Sequence, residues 1–372
     1  MRSFLALSAL SCGVLLFSQE QPSAPRWRMQ YFYDQEKTSL TINDFVFPSA
    51  KYGIAVGYIG EGKREDPTQL TTVDGGEHWT LSPLKEMPIS LFFLDDSLGW
   101  MVTTKGLWRT TEAGRNWTKM PKIADEILRV CFTSEKDGYA VGLKKVVLQT
   151  HDGAQTWTRV KEAADQPGDA RYSAYVWVAF ATPKIGLITG TNNPPRRFAP
   201  EFPDWLDPAA TLRMRDIPHL AYSLVTLDGG ATWRTKSASL LGQTARFRLN
   251  PNGKGIGLIE YSELSEIPSE VYMIDWRDSG SARVFKDPKI SITDIWLDND
   301  GTAFIAGIEE AGRLRDVIPG KVVVLTSQDY KSWTRMQVDY RASAIRPMLA
   351  GPDAQHRWMA TDNGMILKLV DK

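Results

Sequence analysis

Cysteine and histidine are scarce in this chain: two cysteines and four histidines in 372 residues. Scattered as they are, His78, His151, His219 and His356 form no metal-binding motif, and a disulfide framework is excluded. Net charge is also missing, because 44 basic residues cancel 44 acidic ones. That excludes the basic excess of a general nucleic-acid binder. No phosphate loop, nucleophile elbow or paired-Cys motif occurs, so no cofactor is expected. Long apolar runs are lacking save one, Phe4 to Phe17, with Arg2 before it and Ser18 after it. Residues 1–18 therefore read as an export signal, and 19–25 as a short polar, Pro-containing linker. The run is short for a membrane span, though a retained anchor is the alternative. Cys12 raises lipidation, but Ala9-Leu10-Ser11 fits the preceding motif poorly and the apolar run continues past it. Cys131, in the strand-like run Leu128–Phe132, then reads as a small buried hydrophobe.

Tryptophan, by contrast, is abundant, with thirteen copies, and five close a repeated phrase. Thr72-Val-Asp74-Gly-Gly-Glu-His-Trp79 returns around Glu112 and Trp117, Asp152 and Trp157, and Asp228 and Trp233. A copy one residue shorter holds Asp329 and Trp333. The chemistry is that of a turn. The carboxylate is expected to accept from backbone N–H groups one or two residues on, glycine supplies positive φ, and the indole covers the turn. A residue repeated in this way holds each repeat together rather than serving one active site.

A second repeat counts the units. It is an apolar strand, a polar turn, then a Gly-led apolar strand, first as Phe45–Phe47 with Gly53–Gly57 and last as Pro347–Leu349 with Arg357–Ala360. Seven copies occur, and each leads to a third strand and, after the Asp turn, a fourth. The fifth copy lacks the turn, and Val271–Ile274 and Ala282–Phe285 take its strand places. The seventh ends at its third strand, Met365–Val370, while Trp27–Phe32 precedes the first with no partner. Joining the two closes a ring. The fold expected is all-β: a single seven-bladed β-propeller of four-stranded blades over residues 26–372, with an insertion at about 191–222.

The Asp turns resemble the BNR or Asp-box repeats of sialidases and related propellers. Together with the Gly-x-Ala-Val-Gly strands, seven units and an export signal, the chain most resembles the photosystem II stability/assembly factor family. The resemblance covers the whole mature chain, but its matching residues are structural. It implies an exported, periplasmic or extracellular binding or assembly protein, monomeric and non-enzymatic, with an exported or membrane protein as client.

Loop lengths place a site. The segments 58–68, 191–222, 260–270 and 308–321 are expected as long loops between second and third strands, which puts them on the face opposite the Asp turns. The largest carries Arg196, Arg197, Phe202, Trp205, Arg213 and Arg215, types enriched in interface anchors and equally suited to a lid on the propeller itself. Aligning the first strands on their last apolar residue gives a column of Asp44, Leu91, Arg129, Trp177, Arg246, Asp294 and Arg346. It is expected near the strand starts, ringing the long-loop mouth, where it either pairs internally or grips an acidic or glycan ligand. A sialidase-like hydrolase is the alternative function, with Tyr175, Tyr222 and Tyr261 its nucleophiles by type alone; a propeller binding a surface polysaccharide is the third.

Overall fold

The computed structural model describes residues 24–123, 126–194, 218–261, 268–275, 280–309 and 318–370. The export segment and the six insertion residues named above lie outside them. Seven sheets form. Blade 1 is Ser39–Val46, Gly53–Glu61, Arg64–Thr72 and Thr80–Pro83. Blade 2 is Pro88–Phe93, Gly99–Thr103, Gly106–Thr110 and Thr118–Lys119, and blade 3 is Ile127–Phe132, Gly138–Gly142, Val147–Thr150 and Thr158–Arg159. Blade 4 is Ser173–Thr182, Ile185–Asn192, His219–Thr226 and Arg234–Leu240. Blade 5 is Gly242–Leu249, Lys254–Tyr261, Glu270–Asp275 and Gly280–Lys286. Blade 6 is Ile290–Leu297, Ala303–Glu309, Gly320–Ser327 and Thr334–Arg335. Blade 7 is Pro347–Ala350, Trp358–Thr361 and Met365–Val370. Each innermost strand touches the innermost strands of both neighbouring blades, so the ring is closed around a central channel.

Arg26–Phe32 completes blade 7 antiparallel to Met365–Val370, as the unpartnered strand requires. One element was not foreseen. Gln337–Val338 adds to the outer edge of that closing strand in parallel, with Trp27 opposite Val338. Trp27 is buried to 1 % exposure, so this junction is core rather than fringe. One of the expected long loops is also absent. Gly53–Glu61 and Arg64–Thr72 pair along their whole length down to Glu61 with Arg64, so 58–68 is a long hairpin.

The glycines of the strand repeat answer to two close approaches. The leading glycine lies beneath the ring that ends the first strand. A Cβ on Gly53, Gly99, Gly138 or Gly186 would fall within 2.7 Å of Phe47, Phe93, Phe132 or Phe180. Three of those rings also stack on an aromatic of the preceding blade: Phe47 on Trp358 and Phe132 on Trp100 at 3.6 Å, and Phe180 on Tyr139 at 4.6 Å. Each stack contributes about 0.5–1.5 kcal/mol beyond area burial. Blade 7 reverses the arrangement, with Gly351 in the ring's place and Arg357 in the glycine's. The trailing glycine faces a β-bulge. Blades 1 to 6 all break register just before the same position of the first strand, as between Ile42 and Asp44 or Ile127 and Arg129. A Cβ on Gly57, Gly142, Gly190 or Gly307 would lie 1.8–2.4 Å from the bulge carbonyl.

The Asp turns close differently from the expectation. Asp152 accepts from the N–H groups of Gln155 and Thr156 at 3.0 and 2.9 Å, and Asp228 from that of Thr232 at 2.9 Å. The bonds therefore reach three and four residues on, around two positive-φ residues such as Gly229 and Gly230. The leading threonine donates to the same carboxylate, as from Thr226 to Asp228 at 2.8 Å. In the second copy Asn116 donates to the Glu112 carboxylate at 2.8 Å. The indoles do more than cover their own turns. Trp117 donates to Gln69 of blade 1, Trp333 to the Val284 carbonyl of blade 5, and Trp233 packs edge-on against Tyr139 of blade 3. Trp79 packs near Tyr31 of the closing strand, and Trp157 against a core shared by blades 2 and 3. Each is a wedge against the blade before it.

Candidate functional site

A cavity of about 330 Å³ occupies the channel. Its walls include Asp44, Leu91, Arg129, Trp177, Arg246 and Asp294, six of the seven residues in the expected column. The structure corrects that column in three respects. It crosses the middle of the strands rather than their starts, since Arg246 is central in Gly242–Leu249 and Asp294 in Ile290–Leu297. In blade 2, pairing register gives the position to Ser90, opposite Val102, and Leu91 packs between blades 1 and 2. In blade 7 it belongs to Met348, opposite Ala360, and exposed Arg346 precedes the strand altogether. In blades 2 and 7 the cause is the alignment point. The apolar run of blade 2 continues one residue past Phe93, to Leu94, and in blade 7 Gly351 takes the place of the last apolar residue, two beyond Leu349.

The remaining lining residues follow the column along each strand, toward the ends that carry the Asp turns. The cavity therefore lies on the Asp-turn side of the charged column, not at the long-loop mouth. Two residues that the sequence reading passed over now matter. Arg248 and Trp296 follow Arg246 and Asp294 by two, so they share the same face and complete the wall. Strict alternation from the column would have found both.

The two aspartates are turned to structural use. Asp294, 0 % exposed, accepts from its neighbour's N–H, that of Ile295, at 2.8 Å and from Leu349 of the next blade at 2.7 Å. Asp44 does the same for Phe45 at 3.0 Å and Leu91 at 2.8 Å. Asp294 also pairs with Arg246 at 3.0 Å, while Arg129 reaches Asp44 only at 3.5 Å. The aromatic groups order the guanidiniums. Trp177 has Arg129 over its ring at 4.2 Å, Arg246 at 5.2 Å and Arg248 at 5.6 Å. Arg248 also lies over Trp296 at 4.6 Å, and Arg357 lies behind it at 5.4 Å. Burial pulls the Arg129 and Arg248 guanidiniums below the usual arginine value, Arg248 to about 10. Arg248 therefore stays cationic at neutral pH. Arg248 donates Nε to the Ile295 carbonyl at 3.3 Å, and its terminal nitrogens meet no protein acceptor among the described residues.

On the other side of the column, Arg246 pushes the Arg346 guanidinium down, with desolvation second. Desolvation raises the Glu260 carboxyl, against the pull of Arg346. Cys131 lines the cavity beside Arg129, and burial raises its thiol to about 12, so it remains an inert thiol. The tyrosines considered as nucleophiles are placed elsewhere. Tyr175 donates to the Ala163 carbonyl at 2.9 Å, Tyr222 to that of Pro167, and Tyr261 to the Glu270 carboxylate at 2.9 Å. None lines the channel cavity. Among the described residues no group of three or more His, Cys, Asp or Glu could hold a metal ion, and no helix is long and apolar enough to cross a membrane.

No protein-family model matches the chain, and no curated protein sequence matches it. Solved structures do. YCF48 bound to D1 peptide is similar at 15% identity with a TM-score of 0.57, over 91% of this chain and 98% of that one. YCF48 from Cyanidioschyzon merolae is similar at 16% identity with a TM-score of 0.58, over 92% and 98%. The GH74 xyloglucanase from Xanthomonas campestris is similar at 11% identity with a TM-score of 0.62, over 92% of this chain but 53% of the enzyme, so the chain spans about half its length. At these identities the likeness is one of fold, and the fold shared is the β-propeller.

Proposed function

We propose that this chain is an exported, non-enzymatic binding propeller that holds a partner protein by an acidic segment or terminal carboxylate seated in the channel cavity. The observation that carries the reading is the state of the guanidiniums. Asp44 and Asp294 are occupied by backbone amides, whereas Arg129 and Arg248 line the cavity over the Trp177 ring. Arg129 reaches Asp44 only at 3.5 Å, and Arg248 bonds only through Nε among the described residues. Stacked arginines lose little further freedom on taking a carboxylate, and a desolvated guanidinium binds one strongly. The structure of YCF48 bound to D1 peptide supports a peptide-holding role at the level of the fold. In this reading the segments 191–222, 260–270 and 308–321, most of which lie outside the described residues, would offer a second contact, in the manner of an assembly factor.

The test is calorimetric titration with a set of acidic peptides, each as free acid and as C-terminal amide. Arg129→Ala and Arg248→Lys are expected to weaken binding about tenfold or more, the loss of one charge-assisted bond. Deleting 196–215 should weaken a full-length partner but not a short peptide. Equal affinity in wild type and both arginine variants would sink the reading.

A further inference from the structure

Blades 1 and 2 enclose a second cavity, of about 480 Å³, that does not communicate with the column residues. One wall is the sheet of blade 1. Register pairs Gln69 with Ser82 and Thr71 with Thr80, which places four polar, uncharged side chains on one face. Trp108 and Trp117 of blade 2 line the cavity across from them, with Met101 and Leu84. Tyr52 lines it too, 8 % exposed, and its hydroxyl has no hydrogen-bond partner among the described residues. Burial pushes that phenol well above its usual range, so it remains a protonated donor at any physiological pH.

The groups that are already engaged can be separated from those that are not. Gln69 donates to the Gly114 carbonyl at 3.1 Å and accepts from Trp117 at 2.9 Å. Glu86 accepts from Trp108, Thr103 and Lys119. No hydrogen bond from the hydroxyls of Thr71, Thr80 or Ser82 to the described residues is seen. With Tyr52 this leaves four hydroxyls around a groove walled by two indoles. Glu86 is paired with Lys119, Arg115 donates to the Glu112 carbonyl and Lys85 lies over the Trp108 ring. The volume falls in the range of small-molecule sites.

We propose that this groove is a binding site for a neutral oligosaccharide, independent of the channel. A sugar ring offers an apolar face to an indole and a rim of hydroxyls that both donate and accept, which is what the four free hydroxyls complement. The carboxylate that a cationic ligand would need, Glu86, is already held by Lys119, Trp108 and Thr103. A peptide adding as a strand would have to use the edge of Thr80–Pro83, which is four residues long and ends in proline. An orphaned buried hydroxyl carries a standing cost that a ligand acceptor would remove.

The test uses cellotetraose, xylotetraose, mannotetraose and chitotetraose as probes, with tryptophan fluorescence and calorimetry as readouts. At least one tetrasaccharide should saturate, and Tyr52→Phe, which removes only the hydroxyl, should weaken it about five- to tenfold. Ser82→Ala should do so less. Tyr52→Phe should also raise the thermal midpoint of the free protein and leave acidic-peptide binding at the channel unchanged. That last comparison separates failure of this site from failure of the channel reading. No saturation by any of the four sugars would overturn the proposal. So would equal sugar affinity in wild type and Tyr52→Phe, or displacement of a bound sugar by the acidic peptides.

Discussion

The channel wall has two unlike arcs built on one scaffold. Blades 3 to 6 contribute Arg129, Trp177, Arg246, Arg248, Asp294 and Trp296 to the cavity. Blades 7, 1 and 2 contribute Met348, Ala350, Val46 and Phe92, with Asp44 as their charged member. The same bulge precedes the inward position in blades 1 and 2 as in blades 3 to 6. The backbone thus holds the inward side chains of blades 1 to 6 at the same height while their chemistry varies. A repeat fold keeps its geometry in glycines, bulges and turns, and its specificity in the one position that those devices aim at the axis.

The largest effect is expected behind the charged arc. Arg357 is 0 % exposed, lies over Phe304 at 4.5 Å and donates twice to Asp298, which is 5 % exposed. Arg357→Met would leave the Asp298 carboxylate buried with the Trp296 N–H as its remaining side-chain donor, a loss of about 3–5 kcal/mol. Urea melts followed by tryptophan fluorescence would show it. A midpoint equal to wild type would mean that the arc does not need this support.

A smaller effect sharpens the contrast between arcs. Asp294 and Asp44 make the same pair of backbone bonds, but only Asp294 has an arginine at 3.0 Å. Asp294→Ala should therefore cost about 3 kcal/mol, and Asp44→Ala about half that. Equal costs would show that the interblade amides, not the ion pair, set the value.

The smallest effect lies outside both arcs. The Thr156 hydroxyl holds the Asp152 carboxyl down to about 2, the Thr232 hydroxyl does the same for Asp228, and the Ser332 amide for Asp329. A carboxyl depressed by folding stabilises above its unfolded value, ordinarily 3.8, and that contribution is lost as pH falls through the folded value. Acid titrations should show stability falling between about pH 4 and pH 2. Asp228→Asn should flatten part of that slope with little change at neutral pH. An unchanged slope would mean that the turns do not carry the acid response.

The ring was legible in the sequence because its devices are local: a glycine leading the second strand, a carboxylate within the turn, although its amides lie three and four residues on rather than one or two, and a tryptophan after the turn. The closing strand was legible as Trp27–Phe32 with nothing beside it. The site was legible only in part. Asp44, Arg129, Trp177, Arg246 and Asp294 were found, but the apolar runs of blades 2 and 7 end out of step with the ring position, at Leu94 and Leu349, so that Ser90 and Met348 hold the places assigned to Leu91 and Arg346. Contacts across blades left no local trace. Nothing near Asp44 in sequence indicates that its oxygen serves the amide of Leu91, and nothing near Trp296 indicates Arg248 and Arg357 on its ring. The reversal of Gly351 and Arg357 is visible in the sequence as a missing glycine at the head of Arg357–Ala360.

The closing junction has a consequence for synthesis. Trp27 is among the first of the described residues to be made, yet it pairs with Leu369 and Val338 and is buried. Until the last hairpin is made, its indole and the edge of the first strand have no native partner. Six blades can fold in order as they emerge, but the ring stays an open arc with two unsealed edges until the chain is finished. Its slowest native contact is then its longest in sequence, and the half-made molecule carries an exposed strand that a neighbouring chain could take in its place.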